Sequence, residues 1–227
     1  MTKKNSAFFL AALIVYSFFC LLNLGPTWDT YFYYELGKDR LDYLFSLGND
    51  ESFKRIPHSK FLPGTYSTIA AFFVQIFPKK YLVTSLFFFN FLFSFFTILG
   101  IYKISSKLFN KFIGKIVFLI CFFNPVFFGH MAINPNDTIL AFANVWFFYL
   151  LIQYFKNQNN VLRINKYIFF SGICLGLGLG VRISFFVTIL PFFIFFLFDY
   201  IYSKYFFSHR FSTKKFFIDI FKVLGLA

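Results

Sequence analysis

The sequence has few acidic residues and few cysteines. Its 227 residues include 9 Asp and Glu against 22 Lys and Arg, which gives a formal net charge of +13. A basic chain can bind nucleic acid, but basic loops on the cytoplasmic side of a membrane explain this charge better. Cys20, Cys121 and Cys174 all lie in apolar runs, and no CxxC or Cys/His cluster occurs. The sequence therefore supports neither a zinc site nor a disulfide framework, and we expect no nucleic-acid partner.

Apolar residues dominate the composition instead. The chain is 59% hydrophobic, contains 44 Phe and has a mean hydropathy of +0.68. Runs without a charged residue occupy 5–28, 61–78, 81–102, 116–136, 138–155, 167–181 and 183–198. A transmembrane helix needs roughly 20 such residues. We therefore predict an all-α fold, a polytopic transmembrane helical bundle.

The basic residues indicate which loops face the cytoplasm. We predict spans at about 7–24, 82–102, 116–128, 138–155, 167–181 and 183–202, the first being an uncleaved signal-like segment. The N-terminus and the segments 103–115, 156–166 and 203–215 then share one side and hold 13 Lys and Arg, whereas 129–137 holds none. This distribution follows the positive-inside rule and puts 25–80 and 129–137 outside.

Residues 61–77 are apolar but do not fit as a further span. If they crossed the membrane, the four lysines of 103–115 would lie outside, against the positive-inside rule. We expect an amphipathic helix at the outer interface, within a long outer loop 25–80. At the other end, residues 216–227 begin a further span and stop inside it. We therefore expect residues 1–227 to be a single transmembrane domain truncated at its C-terminus.

Asp29 is the first candidate for chemistry. It lies just after the first predicted span, in the aromatic segment "GPTWDTYFYYELGKDR". A carboxylate beside an apolar surface is partly desolvated and binds a proton more tightly, which suits a general base. The simpler alternative is an N-cap of an interfacial helix whose Trp and Tyr form an aromatic belt.

Asp137 is the second candidate and the only carboxylate between Glu51 and Asp199. It lies in "HMAINPNDTIL", and the predicted topology puts it on the same outer side as Asp29. Because it opens a predicted span, it could simply cap that helix.

Arg182 is the third candidate. It follows "GICLGLGLG", whose glycines permit close helix packing or a break. An Arg amid apolar residues usually faces a cavity or a partner, and the alternative is snorkelling to a lipid phosphate. The glycines are no dinucleotide-binding fingerprint because no strand precedes them.

The order and sidedness of these segments resemble a known family. The chain has, in order, a short cytoplasmic N-terminus, one span, a long outer loop that starts with an acid, "INPND" opening a span and "GLxLGxR" closing another. This arrangement is similar to that of the GT-C glycosyltransferases. The resemblance is to bacterial relatives of the dolichyl-phosphate-mannose protein mannosyltransferases and covers most of residues 5–200. "INPND" resembles an NPKD-like motif, with Asn136 where Lys is frequent. Thr30 stands where many relatives have a second acid.

The resemblance implies an inverting glycosyltransferase in the cell (inner) membrane with its site facing outward. Its donor would be a sugar on a polyprenyl phosphate, and its acceptor a protein or a cell-envelope glycan or lipid. Asp29 would be the base, Asp137 a second acid that orients the acceptor or holds a cation, and Arg182 the partner of the leaving phosphate. The substrate would also contact Asn134, Asn136, His58 and Lys60. No cofactor is implied, with a divalent cation as the alternative.

Two other functions fit the residues. A transporter or flippase fragment would use Asp137 and Arg182 as intramembrane coupling charges. An inactive membrane remnant would only pack against partners. The long outer loop favours the enzyme. A transporter would more often have helices broken at mid-membrane and inverted repeats, and neither is evident in the sequence.

Overall fold

Helices make up most of the part of the chain that the structure describes. The structure, a computed structural model, describes residues 3–56, 59, 62–158, 160–202 and 212–227, and no strand forms among them. The helices are α1 (Lys3–Leu22), α2 (Trp28–Phe45), α3 (Thr65–Val74), α4 (Leu82–Leu108), α5 (Lys111–Phe123), α6 (Pro125–His130), α7 (Pro135–Asn157), α8 (Val161–Val181), α9 (Phe185–Tyr202) and α10 (Thr213–Leu226). Short 3-10 helices form at Ser52–Arg55 and Lys79–Tyr81. The predicted all-α bundle is confirmed.

Within the described residues, four helical segments are long and apolar enough to cross a membrane. They are Lys79–Leu108, Pro135–Asn157, Arg163–Val181 and Phe185–Tyr202, which contain or closely match the predicted spans 82–102, 138–155, 167–181 and 183–202. A lipid-embedded helix satisfies its own backbone hydrogen bonds, so long apolar runs adopt this form. The apolar part of α1 that the structure describes, Phe8–Leu22, is shorter than these four, and the crossing predicted for 7–24 stays a prediction.

The segment predicted as a span at 116–128 is divided into two helices. α5 ends at Phe123, and α6 starts at Pro125. The side chain of Asn124 accepts a hydrogen bond from the backbone N–H of Phe127 at 2.9 Å. Asn at the N-cap followed by Pro at the first helical position is a strong start signal for a new helix. The break therefore follows from "NP" at 124–125.

α3 is shorter than the segment 61–77 in which we expected a helix that does not span the membrane. It contains 10 residues, roughly 15 Å at 1.5 Å per residue, and the hydrocarbon core of a bilayer is about 30 Å thick. It therefore cannot cross a membrane alone, and its location at the interface stays a prediction. It packs against α2, α4, α7 and α8.

Helix packing places α4, α7 and α8 at the centre of the bundle. α4 contacts α1, α3, α5 and α7, and α7 pairs along its length with α8. α8 is unbroken through its glycines, and Gly172 and Gly180 let α10 and α3 approach closely. α9 leaves most of its apolar side chains exposed, as expected for a helix that faces lipid. The starts of α2 and α7 and the end of α8 meet on one side of this centre.

Candidate functional site

A cavity of about 350 Å³ lies where these three helix ends meet. The start of α2, the start of α7 and the residue after α8 each contribute side chains. Its walls are formed by Thr27, Asp29, Tyr33, His130, Ile133, Asn134, Pro135, Asn136, Asp137 and Arg182. We call this space the Asp29 cavity. Its side chains can donate protons, accept them and carry both signs of charge.

Asp29 borders the cavity without capping its helix. Thr27 is the N-cap of α2, and its backbone N–H donates to Oγ1 of Thr30 at 3.0 Å. Asp29 is exposed in the first turn and has no hydrogen bond or ion pair among the described residues. The capping role considered for Asp29 therefore belongs to Thr27, with Thr30 assisting. The carboxylate of Asp29 is open to a ligand or a proton.

Tyr33 lies one helical turn after Asp29 and joins α2 to α7. The Asn136 side-chain amide donates to the Tyr33 hydroxyl oxygen at 2.7 Å. Burial is the main reason that the pKa of Tyr33 is raised above its ordinary value, and the charge of Asp29 adds to this effect. Tyr33 is therefore neutral at physiological pH. Because its oxygen already accepts from Asn136, its O–H is available to donate to a bound molecule.

Asp137 and Arg182 form an ion pair across the cavity. Nη1 of Arg182 lies 3.0 Å from Oδ1 of Asp137, and the two side chains are 48% and 49% exposed. The Asn134 side-chain amide donates to Oδ2 of Asp137 at 3.2 Å, so both carboxylate oxygens are engaged. A pair this exposed contributes little to stability. Its main consequence is to hold the Arg182 guanidinium at the cavity.

Asp137 is not the N-cap of α7 either. The N-cap is Asn134, and Asp137 lies in the first turn, where a negative charge interacts favourably with the helix dipole. Arg182 directly follows the last helical residue of α8 and is its C-cap. Its side chain lies against Asp137.

Buried polar groups of α4 hold the loop between α6 and α7. The Asn90 amide donates to the backbone carbonyl of Ala132 at 2.9 Å, and the Ser94 hydroxyl donates to that of Met131 at 3.0 Å. The Tyr66 hydroxyl donates to Oδ1 of Asn90 at 3.0 Å. Asn90, Ser94 and Tyr66 are all buried. Buried groups with their hydrogen bonds satisfied fix a backbone firmly, so the loop that leads to Asn134 is held in place.

A second, mostly apolar cavity of about 620 Å³ adjoins the first. It lies between α4, α5, α6 and α7, and the two cavities share His130, Asn134 and Asp137. Its other walls are formed by Ser94, Thr97, Ile101, Ile120, Cys121, Asn124, Val126, Phe127, Met131, Thr138 and Ala141. We call it the α4–α7 groove. An amphiphilic molecule could place its polar end in the Asp29 cavity and its apolar chain in this groove.

The structure brings together five of the seven residues that the sequence singled out. Asp29, Asn134, Asn136, Asp137 and Arg182 border the Asp29 cavity, although they come from three distant segments. His58 and Lys60 lie outside the described residues.

Three polar cavity residues were not singled out from the sequence, namely Thr27, Tyr33 and His130. Tyr33 could have been found, since a residue four positions after Asp29 shares its helix face. His130 lies four positions before Asn134 and is the last residue of α6, a separate helix that the sequence analysis did not predict. Among the residues that the structure describes, no group of three or more His, Cys, Asp or Glu side chains could hold a metal ion.

Comparison with known proteins identifies one family. Residues 63–214 match the sequence model of a family described as dolichyl-phosphate-mannose-protein mannosyltransferase. The match covers more than half of the chain and includes Asn134, Asn136, Asp137 and Arg182, whereas Asp29 precedes it. No curated protein and no solved structure matches the chain significantly.

Proposed function

The chain belongs to the dolichyl-phosphate-mannose-protein mannosyltransferase family, and on that premise we propose that it transfers a sugar from a polyprenyl-phosphate donor to an acceptor hydroxyl. The family consists of membrane glycosyltransferases of the GT-C type. The observation that carries the proposal is the Asp29 cavity, which combines an unpaired carboxylate, a positioned guanidinium and an adjoining apolar groove. These are the three features that a lipid-phosphate sugar and its acceptor require.

Arg182 receives the donor phosphate in this proposal. As the bond between the anomeric carbon and the phosphate oxygen breaks, its electron pair moves to that oxygen and negative charge develops there. A guanidinium already held in position by Asp137 stabilises this charge without reorganisation. The polyprenyl chain would occupy the α4–α7 groove.

Asp29 acts as the general base. It accepts the proton of the acceptor hydroxyl while the hydroxyl oxygen attacks the anomeric carbon on the face opposite the phosphate, so the anomeric configuration inverts. Asp29 suits this role better than Asp137 because both oxygens of Asp137 are engaged. Asp137 thus positions Arg182 and orients the acceptor, and the Tyr33 hydroxyl is placed to donate to the sugar.

The remaining expected residues have supporting roles in the proposal. Asn134 and Asn136 orient Asp137 and Tyr33 through hydrogen bonds and contact the sugar, and His58 and Lys60 assist at the phosphate. We propose a reaction without a resident cofactor, since Arg182 supplies the positive charge. A divalent cation at Asp137 would have to compete with that guanidinium.

The proposed reaction takes place on the outer side of the cell (inner) membrane. Membrane localisation follows from the family and from the four apolar helical segments. The proposed sidedness rests on the basic loops, which favour the cytoplasm, and on the uncharged 129–137 loop. The acceptor would then be an extracytoplasmic protein or a cell-envelope glycan or lipid.

Substitution of Asp29 tests the proposal. Asp29→Asn keeps the shape of the side chain but cannot accept a proton, so transfer should fall by about 10²–10⁴-fold while donor binding is retained. The measurement is transfer of radiolabelled mannose from a polyprenyl phosphate to acceptors in isolated membranes, with donor binding measured in parallel. Asp42→Asn, an exposed carboxylate on the same helix, is the matched control. Transfer by Asp29→Asn at the wild-type rate would remove Asp29 from the mechanism.

A further inference from the structure

α3 packs against the three helices whose ends meet at the Asp29 cavity, α2, α7 and α8. It packs against α2, which bears Asp29 and Tyr33, against α7, which bears Asp137, and against the end of α8, just before Arg182. None of its own residues lines the cavity. α3 therefore influences the cavity only through the helices that it separates.

The first turn of α3 meets glycines on two opposite sides. A Cβ added at Gly37 of α2 would overlap the backbone carbonyl of Ser67, and one added at Gly180 of α8 would overlap the side chain of Thr65. Thr65 and Ser67 are two positions apart, which is about 200° around a helix. α2 and α8 thus pack closely against opposite faces of a single helical turn.

Further contacts fix this turn in place. Tyr66, between the two contact residues, is 3% exposed and donates to Asn90 of α4. The guanidinium of Arg40 donates to the Ser67 hydroxyl at 3.1 Å and to the backbone carbonyls of Leu62 and Ser59 at 2.6 and 2.8 Å. Burial lowers the pKa of Arg40 below its ordinary value. The turn is tied to α2 and α4, so it cannot yield easily when a neighbour changes size.

We infer that the first turn of α3 is a spacer that sets the separation of Asp29 and Arg182 across the cavity. Thr65 and Gly180 form the pair that positions Arg182, because Gly180 lies two residues before it and α8 ends between them. The inference rests on the proposed function, in which Arg182 receives the phosphate. Neither Thr65 nor Gly180 lines the Asp29 cavity, so both act through Arg182.

A substitution and its rescue test the spacer. Gly180→Ala pushes the end of α8 away from α3 and moves Arg182 with it, so binding of farnesyl phosphate by the purified chain should weaken about tenfold. Thr65→Ala removes the two outer side-chain atoms and leaves its Cβ 3.0 Å from the added methyl group, an approach that a shift of a few tenths of an ångström relieves. The double variant Gly180→Ala/Thr65→Ala should recover wild-type affinity to within about twofold.

Gly172→Ala is the matched control. Gly172 lies on the same helix, and a Cβ added there would lie 2.5 Å from Leu226 of α10, slightly less close than a Cβ added at Gly180 would lie to Thr65. Its substitution should lower the melting temperature as Gly180→Ala does and leave farnesyl phosphate affinity unchanged. A merely structural role for Gly180 would make the two single variants alike in both measurements.

The outcomes separate the spacer from the proposed function. If wild-type protein fails to bind farnesyl phosphate, or if Arg182→Gln binds it equally well, the proposed function fails. If binding depends on Arg182 and Gly180→Ala binds as wild type does, the spacer is overturned. Loss of binding in Gly180→Ala that Thr65→Ala does not restore also overturns it, because the assigned contact is then not the cause.

Discussion

The Asp29 cavity and a second polar cluster, between α7 and α10, use similar residues in opposite ways. The second, which we call the Asp219 cluster, consists of Tyr154, Gln158, Ser212, Lys215, Asp219 and Lys222. Asp219 is 3% exposed and accepts hydrogen bonds from Tyr154 at 2.9 Å and Lys222 at 2.8 Å. In the Asp29 cavity, Asp137 and Arg182 are about half exposed.

The difference lies in what each cluster leaves unpaired. The side-chain amide of Gln158 donates to the backbone carbonyl of Ser212 and accepts from its backbone N–H. The backbone carbonyl of Gln158 accepts from the Lys215 ammonium group. The cluster therefore fastens α10 to α7, and its polar groups are satisfied within the fold. Among the described residues, the Asp29 carboxylate has no hydrogen-bond donor and the Tyr33 O–H has no acceptor. Such a site offers binding groups to a ligand, whereas the Asp219 cluster offers stability.

Among the variants that distinguish the two regions, Asp29→Asn should have the largest effect and Arg182→Gln the next largest. Arg182→Gln removes the charge that would meet the donor phosphate, so farnesyl phosphate affinity should fall by about tenfold, the effect of losing one charge-assisted interaction. The melting temperature should change little because the ion pair is exposed. Isothermal titration and thermal melting measure the two quantities, with Arg163→Gln, an exposed Arg of α8, as the control. Equal affinities for Arg182→Gln and Arg163→Gln would contradict the assignment.

The Asp219 cluster should show the reverse pattern. Tyr154→Phe removes the hydroxyl that donates to the buried Asp219 carboxylate, which should destabilise the fold by roughly 1–2 kcal/mol. Farnesyl phosphate affinity should remain that of the wild type. A lower affinity together with an unchanged melting temperature would show that the two regions are not separate in role.

Alkaline pH should give the smallest effect. Below the ordinary tyrosine pKa of 10.0, Tyr33 is protonated in both the folded and unfolded states and adds no pH dependence. Above it the unfolded state releases its proton first, so the folded state loses stability as pH rises through the raised pKa. Between about pH 9 and pH 11, the melting temperature should fall less steeply with rising pH for Tyr33→Phe than for wild type. An equal pH dependence of the melting temperature in the two proteins would show that folding does not raise the pKa of Tyr33.

The sequence predicted the parts of the fold that depend on long apolar runs. The spans at 82–102, 138–155, 167–181 and 183–202 agree with helices because a run of this length has few alternatives in lipid. The break at 124–125 was missed, although Asn followed by Pro is a helix start signal that also occurs in "INPND". Length and hydropathy alone do not register a helix that restarts within an apolar run.

The candidate site was predictable to the extent that its residues were exceptions in their surroundings. Asp137 and Arg182 are isolated charges in apolar sequence, and Asp29 opens the outer loop, so all three were identified. Tyr33 was one of several aromatics in its segment, and only its spacing of four residues from Asp29 distinguished it. The contacts of α3 with Gly37 and Gly180 depend on three helices meeting in space, and sequence periodicity does not encode such a meeting.

Photo-crosslinking with a diazirine-bearing farnesyl phosphate tests most directly the central claim that one lipid phosphate occupies the Asp29 cavity and the α4–α7 groove. The probe is bound to the purified chain and activated, and the labelled peptides are identified by mass spectrometry with and without excess unlabelled farnesyl phosphate. The account predicts competed labelling at groove residues such as Ile101, Ile120 and Phe127, reduced in Arg182→Gln. Labelling confined to the exposed face of α9, with the groove unlabelled, would contradict it.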